Sequence, residues 1–188
     1  EPPGLPAVRL EPLRRLAKLD RLSDEDMVNL QRGNLIDAAS PNPSVEALLH
    51  AFLPHKFIDH THANAVLALS DRPDGEARCR EVYGRRAALV PYVMPGFALA
   101  KLARDLQTAN PDCEGLILLK HGVFSFGETA REAYDRMIAL VTLAEKSLAK
   151  DRRRAFVQAK LPRTVADATK VAPVASSRLH NKVRPTSP

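Results

Sequence analysis

Hydrophobic residues along this chain follow two periods, and the switches between them mark the elements. Period two runs through Lys56-Phe57-Ile58-Asp59-His60-Thr61-His62, with Ile58, His60 and His62 on one face and Phe57, Asp59 and Thr61 on the other. This spacing predicts a strand that ends at the histidines. Two unbroken apolar runs, Ala87-Ala88-Leu89-Val90-Pro91-Tyr92-Val93 and Leu116-Ile117-Leu118-Leu119, predict buried strands. Pro91 inside the first removes a ladder donor and points to an edge position or an early end. A turn at His121-Gly122 leads into a further strand, Val123-Phe124-Ser125-Phe126.

Helical spacing fills the intervals. Leu13, Leu16 and Leu19 recur on one stripe, and Ser23 before Asp24, Glu25 and Asp26 predicts an N-cap with an acidic first turn. Ser44, after the breaker Ser40-Pro41-Asn42-Pro43, is placed to cap a helix over 45–53 that Pro54 ends, which puts Glu46 in its first turn. Short helices are expected over 63–69 and 75–83, the second closed by Gly84 with a left-handed backbone. A helix over 96–109 stops at Asn110-Pro111-Asp112. Thr129 caps a long one to about Lys150, with Met137, Leu140, Val141, Ala144 and Leu148 on its apolar stripe. The Pro-rich opening to about Val8 reads as extended, and after Leu161 little order is expected. The organisation expected is one domain over 1–150 and a basic, largely disordered tail over 151–188.

Charge sharpens that division. The net charge of +6 is carried by the tail, where nine Lys/Arg stand against two Asp/Glu, while residues 1–150 hold nineteen against twenty. A near-neutral domain without aromatic interleaving in its basic segment makes a nucleic-acid partner an unfavoured reading; Arg152-Arg153-Arg154 reads first as a solvated helix end. No apolar run approaches the about 20 residues needed to span a bilayer, and Glu1-Pro2-Pro3-Gly4 lacks a signal-peptide pattern, so the cytoplasm is the expected compartment and no membrane partner is expected. Cys79 and Cys113 are isolated and read as reduced, functionless thiols.

The chemistry lies in the histidines. His60 and His62, two apart on a strand, can aim both imidazoles at one point, and a catalytic zinc takes three protein ligands while keeping a fourth position open. His121, at the end of an apolar strand where an unpartnered ring is costly, is the candidate third, and Gly122 beside it permits close backbone approach. A hydrogen-bonded, metal-free role for the pair is the competing reading. Glu46 is the nearest carboxylate in sequence before the His60 strand. Read from its position alone it complements a helix dipole; read beside a metal it can move a proton. Asp59 faces away from the pair and suits a surface or core hydrogen bond. His50 and His55 suit packing or surface roles, and His180 lies in the tail.

The segments Ser44-Val45-Glu46 leading to His50, Asp59-His60-Thr61-His62-Ala63 and Leu118-Leu119-Lys120-His121-Gly122 resemble the class II aldolase and adducin-head family. Pro41-Asn42-Pro43-Ser44-Val45-Glu46, His50-Ala51-Phe52-Leu53-Pro54 and Val90-Pro91-Tyr92-Val93-Met94-Pro95-Gly96-Phe97 resemble the aldolase module of bifunctional rhamnulose-1-phosphate aldolase/alcohol dehydrogenases. The resemblance implies a three-layer α/β/α fold on a mainly antiparallel central sheet, assembled as a homo-oligomer. It also implies His60, His62 and His121 as ligands of zinc or another divalent metal, and Glu46 as the catalytic acid/base. The implied reaction cleaves a phosphorylated sugar, a ketose 1-phosphate, to dihydroxyacetone phosphate and lactaldehyde, as in rhamnose catabolism. A non-catalytic structural module of adducin-head type is the alternative. Nothing before Ser23 matches the family's Gly/Asn/Ser phosphate-binding segment, so an N-terminally truncated fold with impaired turnover is expected. No G-x-G-x-x-G follows, so no dehydrogenase activity is expected.

Overall fold

The computed structural model describes residues 5–150. The expectations for the tail over 151–188, including Arg152-Arg153-Arg154 and His180, and for the first four residues lie outside the described residues. In chain order the elements are α1 (Leu10–Leu16), α2 (Asp24–Gly33), α3 (Ala47–Phe52), β1 (Phe57–Thr61), α4 (Asn64–Ser70), α5 (Gly75–Tyr83), β2 (Ala87–Val90), α6 (Phe97–Ala109), β3 (Gly115–Leu118), β4 (Gly122–Gly127) and α7 (Ala130–Lys150).

The four strands form one mixed sheet in the order β1-β4-β3-β2. β1 and β3 both run antiparallel to β4, and β2 runs parallel to β3, so the sheet is mainly antiparallel as expected. Strand alternation sorts the core into two faces. Leu116, Leu118, Phe124 and Phe126 join Leu13, Met27, Leu48, Leu49, Leu99 and Ala103, so α1, α2, α3 and α6 cover that side. Ile117, Leu119 and Val123 join Val66, Leu69, Tyr83, Met137 and Leu140, so α4, α5 and α7 cover the other. The result is an α/β fold of three layers, with His60 on the face shared with Phe124.

Several local readings are met and others shift. Ser23 Oγ accepts the Asp26 N–H at 3.1 Å, and Thr129 Oγ1 accepts the Glu132 N–H at 3.1 Å while Glu132 Oε2 takes the Glu128 N–H at 2.8 Å, so both caps form. β2 stops at Val90, before Pro91, and is an edge strand. The helix expected over 45–53 begins only at Ala47: Ser44 closes a tight turn instead, its Oγ accepting from Glu46 N–H and its carbonyl from Ala47 N–H. Glu46 therefore stands at the helix edge rather than inside the first turn. The N-terminal helix ends at Leu16, leaving Leu19 outside it and 40% exposed. Gly84 has the expected positive φ, 54°, but its ψ of −126° lies away from the left-handed helical well. Among the described residues no helix is long and apolar enough to cross a membrane.

Candidate metal centre

β1 carries His60 on its inward face, and His62 sits one residue past its end. Register places His60 opposite Phe124, whose ring stacks on the imidazole with centroids 4.0 Å apart and planes 16° apart. His60 Nδ1 lies 3.0 Å from the Val123 carbonyl oxygen. A carbonyl only accepts, so Nδ1 carries the proton and the lone pair belongs to Nε2. Burial pushes the His60 imidazole below its ordinary value, with the Glu46 carboxylate and the Val123 bond opposing, which favours the neutral ring that a metal needs.

His121 is delivered by the turn between β3 and β4. Its N–H donates to the Leu118 carbonyl at 3.1 Å, and Lys120, at the third position of that turn, takes φ 60°. Few residues other than glycine adopt that backbone. The Lys120 N–H donates to the hydroxyl of buried Ser70 at 3.3 Å, which helps hold the turn.

The three imidazoles form a near-equilateral triangle, with ring centroids 4.8 Å apart for His60 and His62, 5.0 Å for His62 and His121, and 5.3 Å for His60 and His121. Glu46 reaches in from the start of α3, its Oε1 2.6 Å from His121 Nε2 and 3.3 Å from His60 Nε2. One donor atom from each of the four residues lies within 4.8 Å of every other. The chemistry of this donor set fits a divalent ion on a further ground. His60 Nε2 is buried with no hydrogen-bond donor, and it faces a carboxylate oxygen that is also an acceptor. Two acceptors in contact require a cation or a proton between them. Three imidazoles and a carboxylate suit zinc or a similar borderline cation.

The structure brings Glu46, His60, His62 and His121 together and leaves the other candidates apart. Asp59 pairs in register with Ser125 and is not part of the group. His50, exposed, tilts against Phe124 at 5.5 Å and lines the cavity beside Glu46, while His55 stacks on Phe126 at 4.0 Å with a contact to Gln107 Nε2; neither is part of the group. Sequence reasoning did not reach the Val123 carbonyl, the Phe124 ring or Ser70, because none is marked by residue type and only the strand register and loop contacts bring them in. Beside the cluster opens a cavity of about 1090 Å³, with Glu46, His60, Ser44 and Asn42 on its polar side and Leu13, Ile58 and Met137 among its apolar walls.

A three-layer fold on this sheet with three histidines and a glutamate at one strand end defines a class, and comparison with known proteins names it. The family described as class II aldolase and adducin N-terminal domain matches residues 15–148. The chain belongs to that family. It is 39% identical over 139 residues to an uncharacterized oxidoreductase, YuxG, of Bacillus subtilis (strain 168), covering 74% of this chain and 20% of that protein. The chain thus spans about a fifth of that curated relative's length. Among solved structures it is similar to the N-terminal class II aldolase domain of a conserved protein from Thermoplasma acidophilum, with 37% identity, a TM-score of 0.69, and 75% of this chain and 65% of that one covered. It also shares its fold with a sugar-phosphate aldolase from Thermotoga maritima, at 21% identity and a TM-score of 0.51, over 64% of this chain and 60% of that one.

Proposed function

We propose that the domain is a metal-dependent aldehyde-lyase acting on a ketose 1-phosphate of the rhamnulose 1-phosphate kind, releasing dihydroxyacetone phosphate and lactaldehyde. His60, His62 and His121 hold the divalent ion, zinc in this reading, and Glu46 is the acid/base. The observation that carries the reading is the buried, donorless His60 Nε2 set 3.3 Å from Glu46 Oε1, an arrangement that a purely structural module has no need to maintain. A divalent ion held there would supply a Lewis acid for the negative charge that develops on a hydroxyketone.

The chain's own residues then account for the rest. The Val123 carbonyl fixes the tautomer of His60, so its lone pair points into the site. In the cleavage direction the C4 hydroxyl loses its proton to solvent, the C3–C4 bond breaks with its electron pair passing to C3, and lactaldehyde leaves. Glu46 Oε1, on the cavity lining, takes up a proton from solvent and passes it to C3, so the carboxylate ends the cycle as it began.

The test is solvent deuterium exchange into dihydroxyacetone phosphate, followed by NMR on the zinc-loaded chain and on Glu46→Gln. The variant should retain zinc and exchange about 100-fold or more slowly, the usual scale for losing a general acid/base. Loaded parent chain that neither exchanges nor cleaves, or a variant as fast as the parent, overturns the assignment.

A further inference from the structure

β4 contributes no ligand to the proposed centre, yet it touches the rings at three successive residues. Gly122 is the tightest of these points. A Cβ built on it would lie 2.6 Å from the Thr61 carbonyl oxygen, 3.0 Å from His62 Cδ2 and 3.1 Å from His60 Cε1. Real Cβ atoms do not approach backbone oxygen that closely, and the two ring carbons show that a methyl would wedge between the imidazoles of His60 and His62. The backbone of Gly122 lies outside the left-handed region, since among the described glycines only Gly84 and Gly96 have positive φ. Conformational freedom therefore does not explain this glycine; space does. Next along the strand, the Val123 carbonyl holds His60 Nδ1 at 3.0 Å. Phe124, fully buried, then supports the face of the same ring.

We infer that β4 is the positioning element of the centre. The missing side chain of Gly122 lets the strand close on both imidazoles, and the Phe124 ring keeps His60 in plane so that its Nε2 meets the other donors. This rests on the proposed role of the three histidines as ligands. Gly122→Ala must push β4 from the end of β1 by several tenths of an ångström or turn the two rings outward. Either movement spoils convergence while leaving all three ligands in the sequence. Losing an outer partner of a metal-bound histidine commonly weakens affinity about 10- to 100-fold, and that range is expected for Gly122→Ala. A smaller loss in the same direction is expected for Phe124→Leu, which keeps the position apolar but removes the flat support.

The experiment uses the full chain and two probes, Zn2+ and Co2+. Zinc affinity is measured by competition with a chromophoric chelator, and the d–d absorption of bound Co2+ reports coordination geometry. Both are set beside the thermal midpoint of the metal-free protein. The inference predicts weakened zinc binding and an altered Co2+ band in variants whose metal-free form is still folded at the assay temperature. A purely structural role would lower the midpoint and leave both metal readouts unchanged, which overturns it. If Gly122→Ala does not fold, the Phe124→Leu pair of measurements decides on the same criteria. Parent chain that binds neither ion overturns the ligand reading itself, a result distinct from unaltered binding in the variants.

Discussion

Zinc should stabilise this chain by an amount that its geometry makes calculable. The proposed ligands come from two places far apart in sequence, the end of β1 and the turn after β3, so an ion held by all three would cross-link segments that do not meet in an unfolded chain. Binding energy is then folding energy. At free zinc about a thousandfold above Kd the gain is about 4 kcal/mol, and for a domain of this size each kcal/mol moves Tm by about 2–4 °C. A rise of about 8–16 °C over chelator-treated protein is therefore expected. Differential scanning fluorimetry across a zinc titration measures it, with elemental analysis for stoichiometry near one ion per chain. The double variant His60→Ala/His62→Ala removes two of three imidazoles, so its own zinc-dependent shift should shrink to about 1–2 °C. Comparing each protein with its own metal-free form removes the packing cost of the substitutions. A full-sized shift in the double variant, or stoichiometric zinc surviving in it, would refute the assignment of these ligands.

Two further outcomes follow from residues outside the ligand set. Burial holds the His55 imidazole below its ordinary value of 6.5 in the folded protein, so the unfolded chain takes up its proton first as pH falls. Its contribution to stability is thus complete above about pH 6.5 and lost as pH falls toward the folded value. In the presence of chelator, Tm should drop between pH 7.5 and 5.5, and His55→Asn should make the drop shallower; an unchanged slope would remove His55 from the account. At Lys120, whose φ of 60° costs an L-residue about 1–2 kcal/mol, Lys120→Val should lower stability by at least about 1 kcal/mol because a β-branched side chain suffers more there, whereas Lys120→Gly should stay within about 1 kcal/mol of the parent as relieved strain and added chain entropy offset. Urea denaturation of the metal-free proteins distinguishes them, and equal midpoints for the two variants would contradict the strained turn.

Local pattern determined much of what the chain becomes. Alternation through 57–62 gave His60 its face, the apolar run Leu116-Ile117-Leu118-Leu119 marked a buried strand, and the stripe from Met137 to Leu148 marked α7, because strand and helix periods are properties of neighbours in sequence. Ser23 and Thr129 were legible as caps for the same reason. Glu46, His60, His62 and His121 were legible as candidates by residue type and spacing. Their convergence was not. It depends on the pairing of β1 with β4, which sets His60 against Phe124 and brings the Val123 carbonyl to Nδ1 across more than sixty residues of chain. It depends also on the positive φ of Lys120, a residue with no turn signal of its own, and on Ser44 closing a turn that leaves Glu46 at the edge of α3 facing two imidazoles. Periodicity reports which face a side chain takes, but register and turn geometry are chosen by contacts between distant segments, and only the assembled sheet decides them.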